Sequence, residues 1–219
     1  MPADNKDKVT ILKLQKQKQN DVKTVGVTAY DYPQARIADG AGVDAILVGD
    51  SLGMTTLGYK TTIPVTMDDM IRHSEAVAKG AKNAFLIGDM PYMSYQESNE
   101  LAVRNAGRFI VAGMDMVKVE GAMVERIKAI CDSGIMVMSH LGLTPHTRAK
   151  LGGYKVQAPS ADVKLAIETL VLNSSNLNLR KSDTQIGNFT SQLFELFLRV
   201  FRADFAENCG ELQDSDLYA

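Results

Sequence analysis

The 219-residue sequence predicts an α/β fold of the (β/α)₈ TIM-barrel type, incomplete, with about five βα units recognisable. Short apolar runs bounded by glycine and polar residues, typical of buried parallel strands, alternate with helix-like segments. The βα period of roughly 30–40 residues suits right-handed crossovers. Several strand ends carry candidate catalytic residues, which favours a barrel because an open sheet concentrates its site at one switch point.

The five predicted strands are mainly apolar runs of five or six residues, and the last four of them end at aspartate, glutamate or histidine. They cover residues 25–30, 45–50, 84–89, 116–120 and 135–140. The polar, Lys- and Gln-rich first twenty residues predict a leading helix or arm. Pro33 then opens a helix towards Gly42, because proline suits a first helical turn. A glycine-rich loop over residues 51–58 follows the second strand.

Capping patterns predict where the later helices begin. Thr66 and Asp69 form a capping box, and Gly80 is a plausible stop for that helix. Ser94 and Glu97 form a second box, which predicts a helix ending near residue 113. A further helix runs from the fourth strand to about residue 133.

The chain changes character after residue 172. Residues 158–172 still have apolar side chains at helical spacing, whereas the next stretch is polar and loop-like. One amphipathic stretch over residues 193–201 precedes an acidic end, and we recognise no sixth, seventh or eighth strand. A complete barrel typically needs about 250 residues. We therefore expect a barrel domain over residues 1–172 and an atypical tail over residues 173–219, as a frameshift or altered gene end would produce.

Composition and charge exclude several classes of protein. The formal net charge of −2 offers no electrostatic basis for binding nucleic acid or an anionic membrane. No apolar run approaches the roughly 18 residues of a membrane span, and no apolar signal core is present. Cys131 and Cys209 indicate reduced thiols in a cytoplasmic protein. The three histidines lack the close spacing of a zinc cluster.

Three of the strands deliver a carboxylate, Asp50, Asp89 or Glu120, to the edge where parallel strands end. These acids would repel one another unless a positive charge lay between them, and a divalent cation with oxygen ligands is the simplest answer. A single aspartate after a strand more often caps the next helix or turn. The three together favour a metal site.

Ser51, Lys118 and His140 lie beside these acids in the sequence. Lys118 precedes Glu120 by two residues, so both point to one side of the strand, the interior of a barrel. This pair suits either a structural role or contact with a substrate carboxylate or carbonyl. His140 ends the fifth strand, where it would bond a loop backbone or a substrate. Ser51 lies in the glycine-rich loop, which suits an anion but is neither a P-loop nor a Gly-x-Ser-x-Gly elbow.

A cation on carboxylates with a lysine and a histidine beside it suits a small 2-oxo acid. Chelation through the carboxylate and keto oxygens withdraws electrons and stabilises an enolate. The reaction class would be carbon–carbon bond formation or cleavage next to a carbonyl.

Six motifs in order carry a resemblance to a known family. They are TAYDY at 28–32, VGDSLGM at 48–54, PVT at 64–66, VKVEG at 117–121, HLGLTP at 140–145 and GGYKVQ at 152–157. Over residues 8–157, with arguable continuation to residue 172, the sequence resembles ketopantoate hydroxymethyltransferase. The resemblance implies a (β/α)₈ barrel that forms a large homo-oligomer and binds Mg²⁺.

The resemblance also implies a reaction and roles for residues. A hydroxymethyl group passes from 5,10-methylenetetrahydrofolate to 2-ketoisovalerate through a Mg-stabilised enolate, giving ketopantoate in the first step of pantothenate biosynthesis. The metal-associated positions match Asp50, Asp89 and Glu120, with the two aspartates as the direct ligands. The positions that contact the ketoacid match Ser51, Asp89, Lys118 and His140.

One departure from the family concerns the base that takes the C3 proton. The family uses a glutamate on a later strand in a Leu-Glu-Cys-like context, and this sequence has no such motif. The catalytic base is therefore unknown, and turnover is expected to be weak or absent if the chain is full length. Two alternatives stay open: a truncated, impaired relative that binds metal and ketoacid or acts only as an oligomer subunit, and a phosphoenolpyruvate mutase- or lyase-like barrel enzyme.

Overall fold

One parallel sheet organises the computed structural model, which describes residues 7–121, 123–140 and 145–147. Its strands are β1 (Gly26–Thr28), β2 (Ala45–Val48), β3 (Phe85–Asp89), β4 (Met116–Glu120) and β5 (Val137–His140). Each strand pairs in parallel with the next, so spatial order follows chain order. This is the order of strands in a βα barrel. The α/β class is confirmed, and the sheet of the described residues is open, with β1 and β5 at its edges.

The first helix precedes the sheet and packs near the amino ends of the strands on its inner face, and the helices that connect the strands lie on the outer face. The helices are α1 (Ile11–Gln19), α2 (Tyr32–Ala41), α3 (Leu52–Thr55), α4 (Met67–Gly80), α5 (Asn99–Val111) and α6 (Val124–Asp132), with a 3₁₀ turn at Pro145–Thr147. The predicted capping box of Thr66 and Asp69 is present at α4, with both reciprocal bonds made. Gly42 ends α2 in the left-handed conformation (φ 83°), as a glycine stop requires.

The second predicted capping box is wrong. Helix α5 begins at Asn99 because Ser98 Oγ accepts the Leu101 N–H at 3.1 Å. The Ser94 hydroxyl instead donates to the Pro91 carbonyl at 2.7 Å. The Ser94 carbonyl accepts the side-chain amide of Asn105, a residue of α5 itself, at 2.7 Å.

Other boundaries also differ from the sequence prediction. The loop predicted over residues 51–58 contains the single-turn helix α3. Strands β1, β2 and β5 are shorter than the predicted runs 25–30, 45–50 and 135–140, and β3 begins one residue later than the predicted run 84–89.

The two faces of the sheet bury different side chains. The outer face packs against the helices, with Val117 and Val119 in one cluster with Phe109 of α5. On the inner face, Phe85 and Met116 cluster with Leu14 of α1 near the amino ends of the strands. Further along, this inner face becomes charged, at Asp89 of β3 and at Lys118 and Glu120 of β4. The period-two alternation of the strands places these three side chains on the same face as Phe85 and Met116.

Some sequence predictions lie outside the described residues. These are the helix over residues 158–172, the amphipathic stretch 193–201, the tail and Cys209. Cys131 is a free thiol. In the described ranges, no helix is both long and apolar enough to cross a membrane.

Asp39 anchors the chain that enters β3. Its carboxylate accepts the backbone N–H groups of Lys82, Asn83 and Ala84 at 3.0, 2.9 and 2.7 Å. Burial raises the pKa of the Asp39 carboxyl, but these bonds outweigh burial and hold that pKa below its ordinary value.

We expect Asp39→Asn to lower the free energy of unfolding by about 1–3 kcal/mol at pH 7, because an amide cannot accept all three N–H groups. A carboxyl whose folded pKa is lowered stabilises the fold above its unfolded pKa of about 3.9, and this is lost as pH falls through the folded pKa. Urea denaturation from pH 7 to pH 3 should show the difference from wild type shrinking. A constant difference would mean that the carboxylate charge is not responsible.

Candidate functional site

The carboxyl ends of β2, β3 and β4 hold the three predicted acids. Asp50, Asp89 and Glu120 are each at most 5% exposed. The Asp50 N–H lies 3.4 Å from Asp89 Oδ2, so the two aspartates are adjacent although 39 residues separate them. The parallel register sets Asp89 opposite Lys118 and Glu120 opposite His140. Register and period therefore bring five of the six predicted site residues into one buried cluster.

The lysine and one aspartate form a buried ion pair. Lys118 Nζ lies 2.5 Å from Asp89 Oδ2, and both side chains are 3% exposed. Burial raises the pKa of Asp89, Lys118 lowers it, and the charges of Asp50 and Glu120 raise it further, to about 7. Burial alone would lower the pKa of Lys118, but the surrounding carboxylates outweigh burial and raise it. Asp89 Oδ1 is buried with no hydrogen-bond partner.

Glu120 is held by a histidine and a tyrosine. His140 Nδ1 lies 3.5 Å from Glu120 Oε1. The buried Tyr95 hydroxyl accepts the Glu120 N–H at 2.9 Å. Burial raises the pKa of Glu120, but the His140 bond and the nearby cations outweigh burial and lower it. Burial is the main cause that lowers the pKa of His140.

His146 also enters this cluster, and the sequence analysis did not assign it. Its Nε2 lies 2.7 Å from Asp50 Oδ2, and its Nδ1 lies 3.4 Å from Glu120 Oε2. Its backbone N–H donates to the same Glu120 oxygen at 3.0 Å. Burial lowers the pKa of His146, but the Asp50 bond and the acidic surroundings outweigh burial and raise it. The available signal was a second histidine six residues after His140.

Ser51 makes a different contact from the rest of the predicted set. Its hydroxyl lies 2.9 Å from the Tyr30 hydroxyl, at the end of the strand next to β2. Tyr30 and Tyr95 were not assigned from the sequence, because an aromatic residue near a strand end is usually part of the core. Ser51 follows Asp50 in the chain and therefore lies at the border of the acidic cluster.

The donor chemistry of the two aspartates fits a hard divalent cation. Within the described residues, no group of three or more His, Cys, Asp or Glu side chains has the geometry of a metal site. Lys118 and His146 lie on carboxylate oxygens of Asp89 and Asp50, respectively. Mg²⁺ commonly uses one or two carboxylates and completes its shell with water and substrate. The buried, unpartnered Asp89 Oδ1 beside Asp50 meets this requirement.

Comparison with known proteins bears on the same residues. The sequence profile of the family described as ketopantoate hydroxymethyltransferase matches residues 8–175. The 3-methyl-2-oxobutanoate hydroxymethyltransferase of Thermoanaerobacter sp. (strain X514) is 47% identical over 194 residues, covering 82% of this chain and 71% of the relative. The enzyme of that name from Geobacillus thermodenitrificans (strain NG80-2) is 55% identical over 148 residues, covering 66% of this chain and 53% of the relative.

A solved structure supports the fold. The 2,3-dimethylmalate lyase, a PEP mutase/isocitrate lyase superfamily member, superposes with a TM-score of 0.54 at 15% identity, covering 76% of this chain and 59% of the lyase. That superfamily has the TIM-barrel fold. At this identity, the likeness concerns the fold alone. The five-stranded parallel sheet is therefore part of a barrel architecture.

Proposed function

The chain belongs to the ketopantoate hydroxymethyltransferase family, and we propose that it catalyses hydroxymethyl transfer from 5,10-methylenetetrahydrofolate to 2-ketoisovalerate, giving ketopantoate for pantothenate synthesis. The observation that carries the proposal is the buried cluster of Asp50, Asp89, Lys118, Glu120 and His140 at the strand ends. The chain spans 71% of one relative's length and 53% of the other's, so the whole reaction stands as a proposal.

The acidic residues of the cluster would bind the cation, and its basic residues would bind the ketoacid. Asp50 and Asp89 would hold Mg²⁺, with Glu120 as a third nearby acid. When bound, the cation would draw electron density from the ketoacid's carboxylate and keto oxygen and so make the C3 proton more acidic. Lys118 and His140 would donate to the ketoacid oxygens. Because the cluster is buried, these charges act with little screening by water.

Ser51 would contribute its hydroxyl to the ketoacid from the edge of the site. The Tyr30 hydroxyl at 2.9 Å holds the Ser51 side chain in one orientation. The C3 proton also needs a base, and we assign that role to none of the described residues. Missing general-base catalysis typically slows a reaction by about 10²–10⁴-fold. If the chain is full length, we therefore expect weak or absent turnover, because its sequence has no glutamate in the Leu-Glu-Cys-like context of the family.

The family match disfavours the phosphoenolpyruvate mutase- or lyase-like alternative, because the likeness to that superfamily is one of fold at 15% identity. The folate co-substrate, the homo-oligomer and the cytoplasmic location are parts of the proposal supported by family membership. Size-exclusion chromatography with light scattering tests the oligomer.

The test is product formation by the full chain. With 2-ketoisovalerate, 5,10-methylenetetrahydrofolate and Mg²⁺, ¹H NMR should show ketopantoate accumulating, and omission of Mg²⁺ should stop it. Loss of deuterium from C3-labelled 2-ketoisovalerate, followed in the same sample, separates proton removal from transfer. Mg²⁺-dependent ketoacid binding without either reaction would favour the impaired relative. If the chain neither binds the ketoacid nor forms product, the proposed function is contradicted.

A further inference from the structure

His146 bridges two of the acids. The imidazole presents Nε2 to Asp50 at 2.7 Å and Nδ1 to Glu120 at 3.4 Å, so its two nitrogens face carboxylates of different strand ends. Its side chain is 3% exposed, although it follows β5 in a 3₁₀ turn rather than in the sheet. The ring therefore lies within hydrogen-bond or ion-pair distance of two of the three converging carboxylates.

The surroundings of His146 hold the ring in this place. The Tyr95 hydroxyl lies 3.3 Å from Nδ1, and the Tyr92 ring meets the imidazole edge-on with centroids 5.7 Å apart. The backbone N–H of His146 is fixed to Glu120 Oε2. Backbone, ring edge and both ring nitrogens are therefore contacted, so the bridge is a built arrangement rather than a side chain resting in a cavity.

We propose that the His146 imidazole takes the place of the divalent cation at Asp50, so that the cation and the His146–Asp50 contact exclude each other. This inference rests on the proposed function, since it needs a cation site at Asp50 and Asp89. A cation on the Oδ2 atom of Asp50 has to approach to about 2.0–2.1 Å, into the space that faces His146 Nε2. His146 thereby lowers the affinity of the site for the cation.

The opposite role has a different signature. A histidine that supports a ligating carboxylate from outside the coordination shell raises metal affinity, and its removal typically costs about 10–100-fold. If the histidine instead competes with the cation, its removal should raise the metal affinity. Removing it frees a carboxylate from a charge-assisted hydrogen bond, which corresponds to roughly tenfold or more in affinity.

The experiment measures Mn²⁺ affinity by EPR on the full chain, at one fixed pH, for wild type, His146→Ala and the matched control His73→Ala. His73 lies on α4, where its ring contacts the Tyr30 carbonyl outside the cluster. We expect His146→Ala to tighten Mn²⁺ binding about tenfold and His73→Ala to leave it unchanged. Weaker or unchanged binding by His146→Ala would overturn the inference.

Two further arms keep the outcomes separable. Asp89→Asn should abolish Mn²⁺ binding; if it does and His146→Ala changes nothing, the inference fails alone. The inference and the metal site of the proposed function would both be overturned if neither wild type nor His146→Ala binds Mn²⁺. The same conclusion follows if Asp89→Asn binds Mn²⁺ as tightly as wild type does. If His146→Ala does not fold, side-chain ¹H–¹⁵N spectra of wild type replace it. Added Mg²⁺ should shift the His146 signals and not those of His73, and unmoved His146 signals at saturation would overturn the inference.

Discussion

Replacing Lys118 by methionine is expected to lower the free energy of unfolding by about 3–5 kcal/mol, because removing one partner of a buried ion pair leaves the other uncompensated. Lys118 and Asp89 are each 3% exposed and lie 2.5 Å apart. Among the described side chains of the cluster, Lys118 is also the permanent cation that faces Asp50 and Glu120. Methionine has a similar length, so the loss would come from charge rather than from a cavity.

Urea denaturation at pH 7 measures this effect, and Lys128→Met is its matched control. Lys128 pairs with Asp132 at 2.6 Å on the surface of α6, where both side chains are more than half exposed. Exposed pairs of this kind contribute about 0.3–0.5 kcal/mol. Equal losses for the two variants would contradict the buried-charge explanation. The double variant Lys118→Met/Asp89→Asn should recover part of the loss, because it removes both charges.

Unlike Lys118→Met, the variant Asp89→Asn is expected to lose much of its activity and little of its stability. The change removes a proposed cation ligand and ketoacid contact, so ketopantoate formation should fall by at least about 10²-fold. The stability of the fold should hold because Lys118 keeps Asp50 and Glu120 as anionic neighbours. Binding sites that bring several charges close together are commonly less stable than the same sites with the charges removed.

The difference in stability between Asp89→Asn and wild type should depend on pH. Burial and the neighbouring acids raise the pKa of Asp89 to about 7, despite Lys118. A carboxyl whose folded pKa is raised stabilises the fold while protonated, and this is lost as pH rises from its unfolded pKa of about 3.9 through 7. Asp89→Asn should therefore be most stable relative to wild type above pH 7. A variant that is less stable than wild type at pH 8 would contradict the direction of the shift.

The sequence by itself determined the repeating architecture and the contents of the strand ends. Apolar runs closed by Asp50, Asp89 and Glu120 predicted buried parallel strands, and the alternation of side chains placed Lys118 and Glu120 on one face. The Thr66 capping box was also readable, because its partners are three residues apart. Each of these features depends on spacing along one short segment.

The tertiary structure alone decided which distant groups meet. His146 reaches Asp50 across 96 residues, and Ser51 pairs with Tyr30 of a neighbouring strand end. Such contacts depend on strand register and on how turns pack over the sheet, which no local period encodes. In this structure, Lys118 lies on Asp89 and His146 lies on Asp50, and the cation predicted among these acids stays a prediction.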